Sequence, residues 1–142
     1  MATNLLKLDR QLCFPLYALS RQITGLYRPL LEAIGLTYPQ YLVMMLLWEH
    51  NSMTVKAIGQ ELLLDSGTLT PLLKRLEKQG LLSRRRDELD ERSVIITLTT
   101  AGNELRKKAE KVPAALIEKL PLAEDESCLL INQLHTILKN LQ

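Results

Sequence analysis

The stretch DSGTLTPLLKRLEKQGLLSRRRDELDERSVIITLT, residues 65–99, decides the fold. Its first part, residues 66–78, reads as a helix, because Leu69, Leu72, Leu73 and Leu76 recur at i, i+3, i+4 and i+7 and line one face. The opposite face carries Ser66, Thr68, Thr70, Lys74, Arg75 and Lys78. Hydroxyls and cations of this kind contact phosphates and base edges. Gly80 stops the helix. Residues 81–86 and 92–98 then read as two strands, joined by the polar, acidic tip 87–91. A helix sized for a major groove, followed by a hairpin with arginines at its tip, is the layout of a winged helix-turn-helix.

Upstream, residues 9–33 form a helical segment with a continuous apolar stripe: Leu12, Leu16, Leu19, Ile23, Leu26 and Leu30. Pro15 fits its first turn, Pro29 should kink its far end, and Gly35 closes it. Thr37-Tyr38-Pro39-Gln40 opens a second helix as a capping box with Thr37 at the N-cap. The following YLVMMLLWE, residues 41–49, is apolar nearly all round and is expected to be buried. Residues 53–55 suggest a third strand, and residues 56–63 a third helix packing through Ala57, Ile58, Leu62 and Leu63. Leu64-Asp65 is the turn before the groove-reading helix, which Asp65 or Ser66 caps. Pro71 should offset the start of that helix without breaking it.

Downstream, Thr99 or Thr100 caps a fifth helix over residues 101–119, bent at Pro113. Residues 124–141 make a sixth, with Leu129, Leu130, Leu134, Ile137, Leu138 and Leu141 on one side. The expected fold is therefore mostly α with a small β-wing, a single domain over residues 1–142. A winged helix-turn-helix core, residues 38–99, lies between terminal helical arms, residues 1–37 and 100–142. So small a core cannot cover all the apolar stripes of those arms. Pairing with the same helices of a second copy covers them, giving a homodimer. Its two groove-reading helices would then meet the two halves of a pseudo-palindromic site on double-stranded DNA.

Composition narrows the function classes. Hydrophobic content of 46% supports a folded core, while 4% aromatics argues against a single-strand binder that stacks bases on exposed rings. The formal charge of +2 makes any nucleic-acid surface local rather than global. No apolar run is long enough for a membrane span, and the N-terminus lacks a signal peptide, so a cytoplasmic protein with no membrane partner is expected. There, both cysteines are thiols by default. Two Cys and two His form no zinc pattern, and no catalytic triad, phosphate loop or dinucleotide fingerprint is present. No catalytic residue, metal or cofactor is expected, and His50 and His135 read as capping or surface residues.

The candidate DNA contacts extend from the helix to the wing as Arg84, Arg86, Asp90 and Arg92. Consecutive strand residues point to opposite faces, so Arg84, Arg85 and Arg86 cannot all face DNA. The Asp90 carboxylate is placed to brace the Arg92 guanidinium for a minor groove. The plain alternative is a solvated surface of mixed charge. Cys13 opens the first helix. It reads either as a small buried hydrophobe or as a thiolate favoured by a helix N-terminus. Tyr17, one turn on, lies on the same face and can donate a hydrogen bond to it. Tyr27 and Tyr38 are further phenols near that region. Cys128 reads as packing on the last helix, or as a thiol able to resolve an oxidised partner.

The segments QLCFPLYALSR (11–21), LTYPQYLVMMLLWEH (36–50), LLLDSGTLTPLLKRLEKQGLL (62–82) and DERSVIITLT (90–99) resemble the MarR family of winged-helix repressors. The LCF motif joined to TYPQY resembles its organic-hydroperoxide-sensing branch. The resemblance covers almost the whole chain. It implies a dimeric repressor in which Cys13 is oxidised to a sulfenic acid, Tyr27 and Tyr38 of the partner subunit hold the thiolate, and Tyr17 lies close by. Oxidation would break the tyrosine network and shift the two recognition helices off operator spacing. Two-cysteine members carry a resolving Cys near the position of Glu118, after a Val-Pro pair. Here Val112-Pro113 is present and that Cys is not, so a low-molecular-weight thiol is the expected capping partner, with Cys128 as the other possibility.

Three other readings compete. A MarR-type regulator could be released by a small lipophilic or phenolic ligand without redox chemistry. A thiol peroxidase would turn over with a reductant and leave the basic wing without a purpose. A purely structural helical dimer would show no salt-dependent DNA affinity.

Overall fold

The computed structural model describes residues 4–142, so residues 1–3 of the expected N-terminal arm lie outside the described residues. A short 3-10 turn, Leu8–Arg10, leads into helix α1, Cys13–Glu32. Pro15 sits in its first turn, where an N–H has no partner to lose. Pro29 lies within the helix, which runs on to Glu32. Gly35 then adopts φ +75°, and Leu36 N–H donates to Leu31 O at 3.0 Å. That left-handed conformation is one glycine enters without a Cβ penalty, and it lets the chain reverse into α2.

Helix α2, Tyr38–His50, opens on the expected capping box: Gln40 N–H donates to Thr37 Oγ1, and Thr37 N–H donates to Gln40 Oε1. Tyr41, Val43, Met44 and Leu47 are buried. The expectation of burial all round needs correction, since Met45 remains 38% exposed. Strand β1, Ser52–Thr54, passes directly into α3, Val55–Leu62, capped by Thr54 Oγ1 at 3.1 Å from Ala57 N.

Helix α3 ends one residue earlier than its sequence suggested. Leu63 turns left-handed, φ 55°, and is thrown outward instead of packing with Ala57 and Ile58. Helix α4, Ser66–Lys78, follows after a short turn. Asp65 caps it by accepting from Thr68 N–H at 2.7 Å, and this bond holds its carboxyl below the usual carboxylate range. Pro71 is accommodated within the helix. Leu69, Leu72, Leu73 and Leu76 are all buried, on the helix face that packs against α2 and α3.

The wing is a three-stranded antiparallel sheet in the order β1-β3-β2, with β2 at Leu82–Arg86 and β3 at Val94–Leu98. Leu82 pairs with Leu98, Arg84 with Ile96 and Arg86 with Val94. Met53 of β1 pairs with Ile96 from the other side. Leu82 and Ile96 are buried, so this register fixes which face of the wing looks inward.

The single bent helix expected over residues 101–119 is two helices, α5 Thr100–Ala109 and α6 Lys111–Ile117. Pro113 has no N–H for the Ala109 carbonyl, and its ring crowds that carbonyl, so the helix breaks at Glu110. Helix α6 packs on α1, and its Val112 and Leu116 are buried. Helix α7, Glu124–Leu141, buries no residue. The protein is thus mostly α with a small β-wing.

Candidate nucleic-acid interface and thiol site

Two groups of functional side chains lie at different parts of the fold. The first is the outer face of α4 and the adjoining wing. The core leucines of α4 turn Ser66, Thr68, Lys74, Arg75 and Lys78 to solvent, with Thr70 half-buried at the edge. The exposed residues are free to meet a phosphate backbone without desolvating a buried charge. Beside this face lies an open groove of about 540 Å³, lined by Ser66, Thr70, Arg84, Arg92 and residues of α3. It is formed where the wing approaches the helix.

The wing cations differ in placement. Because Leu82 points inward, the period of two turns Arg84 the same way. Its guanidinium Nε donates to Glu77 Oε2 at 2.5 Å, tying β2 to the last turns of α4. Arg84 therefore acts on α4 before it could act on DNA. Arg86 and Arg92 stay exposed at the tip. Asp90 does not brace the Arg92 guanidinium. Its Oδ1 accepts from the Arg92 backbone N–H at 3.0 Å, and Asp87 Oδ1 accepts from Leu89 N–H at 3.0 Å. The tip is held by two aspartate-backbone turns, which fix where Arg92 leaves the chain.

The second group lies on α1 and α2. Cys13 is the first residue of α1 and is exposed, as is Cys128 on α7. Neither is a buried packing residue within one chain. Tyr17 is exposed and makes no hydrogen bond to Cys13 among the described residues. Its ring instead lies under the Arg21 guanidinium, 5.6 Å from the centroid.

Tyr27 and Tyr38 come together, centroids 4.8 Å apart. Tyr41 and Trp48 extend the cluster, although sequence reasoning assigned them no role. Tyr41 is 5.9 Å from Tyr27 and 6.4 Å from Tyr38, and Trp48 stands edge-on to Tyr41 at 6.3 Å. The signal was available: Tyr38, Tyr41 and Trp48 step by three and seven along one helix. Burial raises the Tyr27 phenol from 10.0 to about 12, with the neighbouring Tyr38 and Tyr41 adding to the shift. The same desolvation raises Tyr38 and Tyr41. All three are therefore neutral hydrogen-bond donors across the physiological range, the form suited to holding an anion.

Cys13 and Tyr27 share one helix and stand 14 residues apart, about 21 Å at 1.5 Å per residue. The thiol of one chain is out of reach of that chain's own Tyr27. His50 closes α2 beside Glu49, at 3.8 Å, and His135 is exposed on α7. Among the described residues no cluster of His, Cys, Asp or Glu could hold a metal, and no helix is long and apolar enough to cross a membrane.

An amphipathic helix with an exposed cationic face, backed by a three-stranded wing, defines a winged-helix DNA-binding protein. Residues 25–109 match the family described as transcriptional regulator SarA/Rot. The organic hydroperoxide resistance transcriptional regulator of Bacillus subtilis (strain 168) is 50% identical over 136 residues, 96% of this chain and 92% of that one. Two solved structures of AbfR bound to DNA superpose over nearly the whole of both chains. The reduced form has 41% identity and a TM-score of 0.82, covering 99% of each chain; the overoxidised form has 42% and 0.81, covering 100% of each. The disulfide-formed AbfR, at 43% identity and covering 94% of this chain and 91% of that one, superposes less closely, at 0.66. A mutant MarR from E. coli complexed with operator DNA is 25% identical with a TM-score of 0.81, over 89% of this chain and 93% of that one. The chain belongs to the MarR/SarA family of winged-helix transcriptional regulators.

Proposed function

We propose that the chain is a cytoplasmic, non-enzymatic repressor that binds a pseudo-palindromic operator as a homodimer and leaves it when an organic hydroperoxide oxidises Cys13. The observation that carries this reading is the exposed thiol at the start of α1, in a chain half identical to an organic hydroperoxide resistance regulator. The likeness of its conformation to AbfR bound to DNA, in the reduced and the overoxidised form alike, supports a DNA-competent conformation.

The dimer is built from the arms. Leu12, just before α1, Leu16 and Leu19 of α1, and Leu129, Ile137, Leu138 and Leu141 of α7 are exposed apolar residues that one chain leaves uncovered. Burying them against a second copy releases their apolar surface from water at roughly 25 cal/mol per Å². It also supplies the phenols that Cys13 cannot reach in its own chain. Tyr27 and Tyr38 of the partner subunit donate to the Cys13 thiolate, and Tyr17 flanks it.

The chemistry balances simply. The thiolate sulfur attacks the terminal oxygen of the hydroperoxide, an S–O bond forms and the O–O bond breaks. The alkoxide leaves and takes up a proton to become an alcohol, and Cys13 becomes a sulfenic acid. A low-molecular-weight thiol then condenses with it, forming a mixed disulfide and releasing water. The phenols have lost their anion, the arms repack, and the two α4 helices no longer match the operator. Ser66, Thr68, Thr70, Lys74, Arg75, Lys78, Arg86 and Arg92 contact DNA, with Asp90 and Arg84 shaping the wing.

The test is operator binding by fluorescence anisotropy, with and without cumene hydroperoxide. Wild type should dissociate and Cys13→Ser should stay bound. Release of Cys13→Ser as readily as wild type would sink the redox reading and favour a ligand-released regulator. Mass spectrometry of the oxidised protein should show a small-thiol adduct on Cys13, whereas a disulfide to Cys128 would make Cys128 the resolving thiol.

A further inference from the structure

The thiol site proposed above uses two phenols, Tyr27 and Tyr38, yet the structure gathers three. Tyr41 is only 3% exposed, so its ring is enclosed by its neighbours while its two companions are half-buried or more open at the surface. It lies behind both, 5.9 Å from Tyr27 and 6.4 Å from Tyr38, tilted by 45° and 44°. These separations are those of attractive aromatic packing, and a tilted ring behind two others limits how far either can turn. No hydrogen bond joins the three hydroxyls among the described residues, so what Tyr41 supplies is the ring.

Tyr41 is itself held from the far side. Trp48 stands against it at 66°, and the Trp48 indole Nε1–H donates to Gly102 O at 2.9 Å, at the start of α5. Gly102 N–H in turn donates to Thr99 Oγ1, whose hydroxyl donates to Gly80 O, two residues past the end of α4. A continuous packed path therefore runs from Tyr27 and Tyr38 through Tyr41 and Trp48 to just past the end of the DNA-facing helix. Every contact in it lies within one chain.

We infer that Tyr41 is a positioning residue of the thiol site: its ring fixes Tyr27 and Tyr38 at the angle from which they hold the partner's thiolate, and passes their displacement to Trp48. This rests on the reading that Cys13 is the reactive thiol and that Tyr27 and Tyr38 hold it. Removing the ring leaves both donors present but free to turn. The thiolate is then less stabilised, its apparent pKa rises and its reaction slows.

The experiment measures the rate of Cys13 alkylation by iodoacetamide against pH, in Cys128→Ser protein, for Tyr41→Leu, Tyr41→Phe and Tyr27→Phe. Tyr41→Leu should shift the thiol titration to higher pH and slow the reaction at neutral pH, on the order of threefold or more, as expected for weakening two cooperating donors. Tyr41→Phe, which keeps the ring, should restore the wild-type profile. An unshifted Tyr41→Leu profile, or a Tyr41→Phe profile as displaced as that of Tyr41→Leu, overturns the proposal. If Tyr27→Phe also leaves the profile unchanged, the thiol–phenol reading itself has failed, which is a separate outcome.

A second measurement needs no core substitution. Trp48 is the single tryptophan of the chain, and Tyr41 is its aromatic neighbour, so its emission reports on that contact. Cumene hydroperoxide should change that emission in wild type and not in Cys13→Ser. Emission unchanged on oxidation of wild type overturns the relay to Trp48.

Discussion

Glu77 on α4 and Arg84 on β2 form an ion pair that fastens the wing to the helix it accompanies. Both side chains are partly exposed, so the pair contributes only about 0.2–1 kcal/mol to folding. It also ties the hairpin to the last turns of α4, the part of the fold that both DNA-facing elements share.

Glu77→Gln should therefore lower operator affinity by no more than about fivefold, the upper end of what such a pair spans. Titration at several salt concentrations separates the causes. The slope of log K against log salt should stay the same, because no phosphate contact is lost. A tighter-binding Glu77→Gln protein would mean that Arg84, once freed, serves DNA directly.

Arg92 departs from a tip whose backbone is pinned by Asp90. Arg92→Ala should weaken binding with loss of minor-groove preference. Lys74→Ala and Arg75→Ala should each cost about 1–3 kcal/mol where the side chain reads a base. Asp90→Ala should resemble a milder Arg92→Ala. Anisotropy titrations on operator and scrambled duplexes distinguish a uniform loss from a sequence-selective one.

Gly102 is packed where no side chain fits. A Cβ there would run into the Leu81 carbonyl oxygen and lie 2.8 Å from a Leu98 methyl. Gly102→Ala should force α5 away from the end of α4 and destabilise the fold by roughly 1–3 kcal/mol, the range for overpacked interiors. Urea denaturation would show it as a lower midpoint. Gly67, with only the Asp65 cap at 3.5 Å, should accept alanine far more easily.

The Tyr27 phenol gives a pH signature. Its pKa is pushed up to about 12, so the folded chain holds this proton more tightly than the unfolded chain does. The resulting stability is complete below pH ~10, the unfolded phenol's value, and is lost as pH rises towards 12. Tyr27→Phe should flatten the decline in melting temperature over that window. Asp65 works in the opposite direction at the acid end. Its lowered carboxyl stabilises α4 at neutral pH, and the advantage over Asp65→Ala should close as pH falls through the carboxylate range.

Most of this architecture was legible in the chain, for physical reasons visible in particular residues. The leucines of α4 keep the helical period and are all buried, and the Thr37–Gln40 box closes as written. The misjudged places are those where one backbone torsion or one missing N–H decides. Leu63 carries an apolar side chain into a left-handed turn, where pattern alone pointed to packing. Pro113 splits a helix that periodicity ran through. At the site, charge was legible but direction was not. Arg84 and Arg92 look alike in sequence, and only the strand register and the acceptors within reach separate a tether from a free cation. In sequence Tyr41 reads as buried and no more, because which rings surround it is set only by the fold.

The distance along α1 has a consequence for genetics. If each thiol is served by the other chain's phenols, a Cys13→Ser chain and a Tyr27→Phe chain are defective for different reasons and can complement one another. Each homodimer lacks an intact site, whereas a mixed dimer has one: the thiol from one parent facing the phenols of the other. A mixed dimer isolated through two different tags would regain peroxide-driven release from the operator, which neither homodimer supplies, whereas in a cell the Cys13→Ser homodimer would stay on the operator.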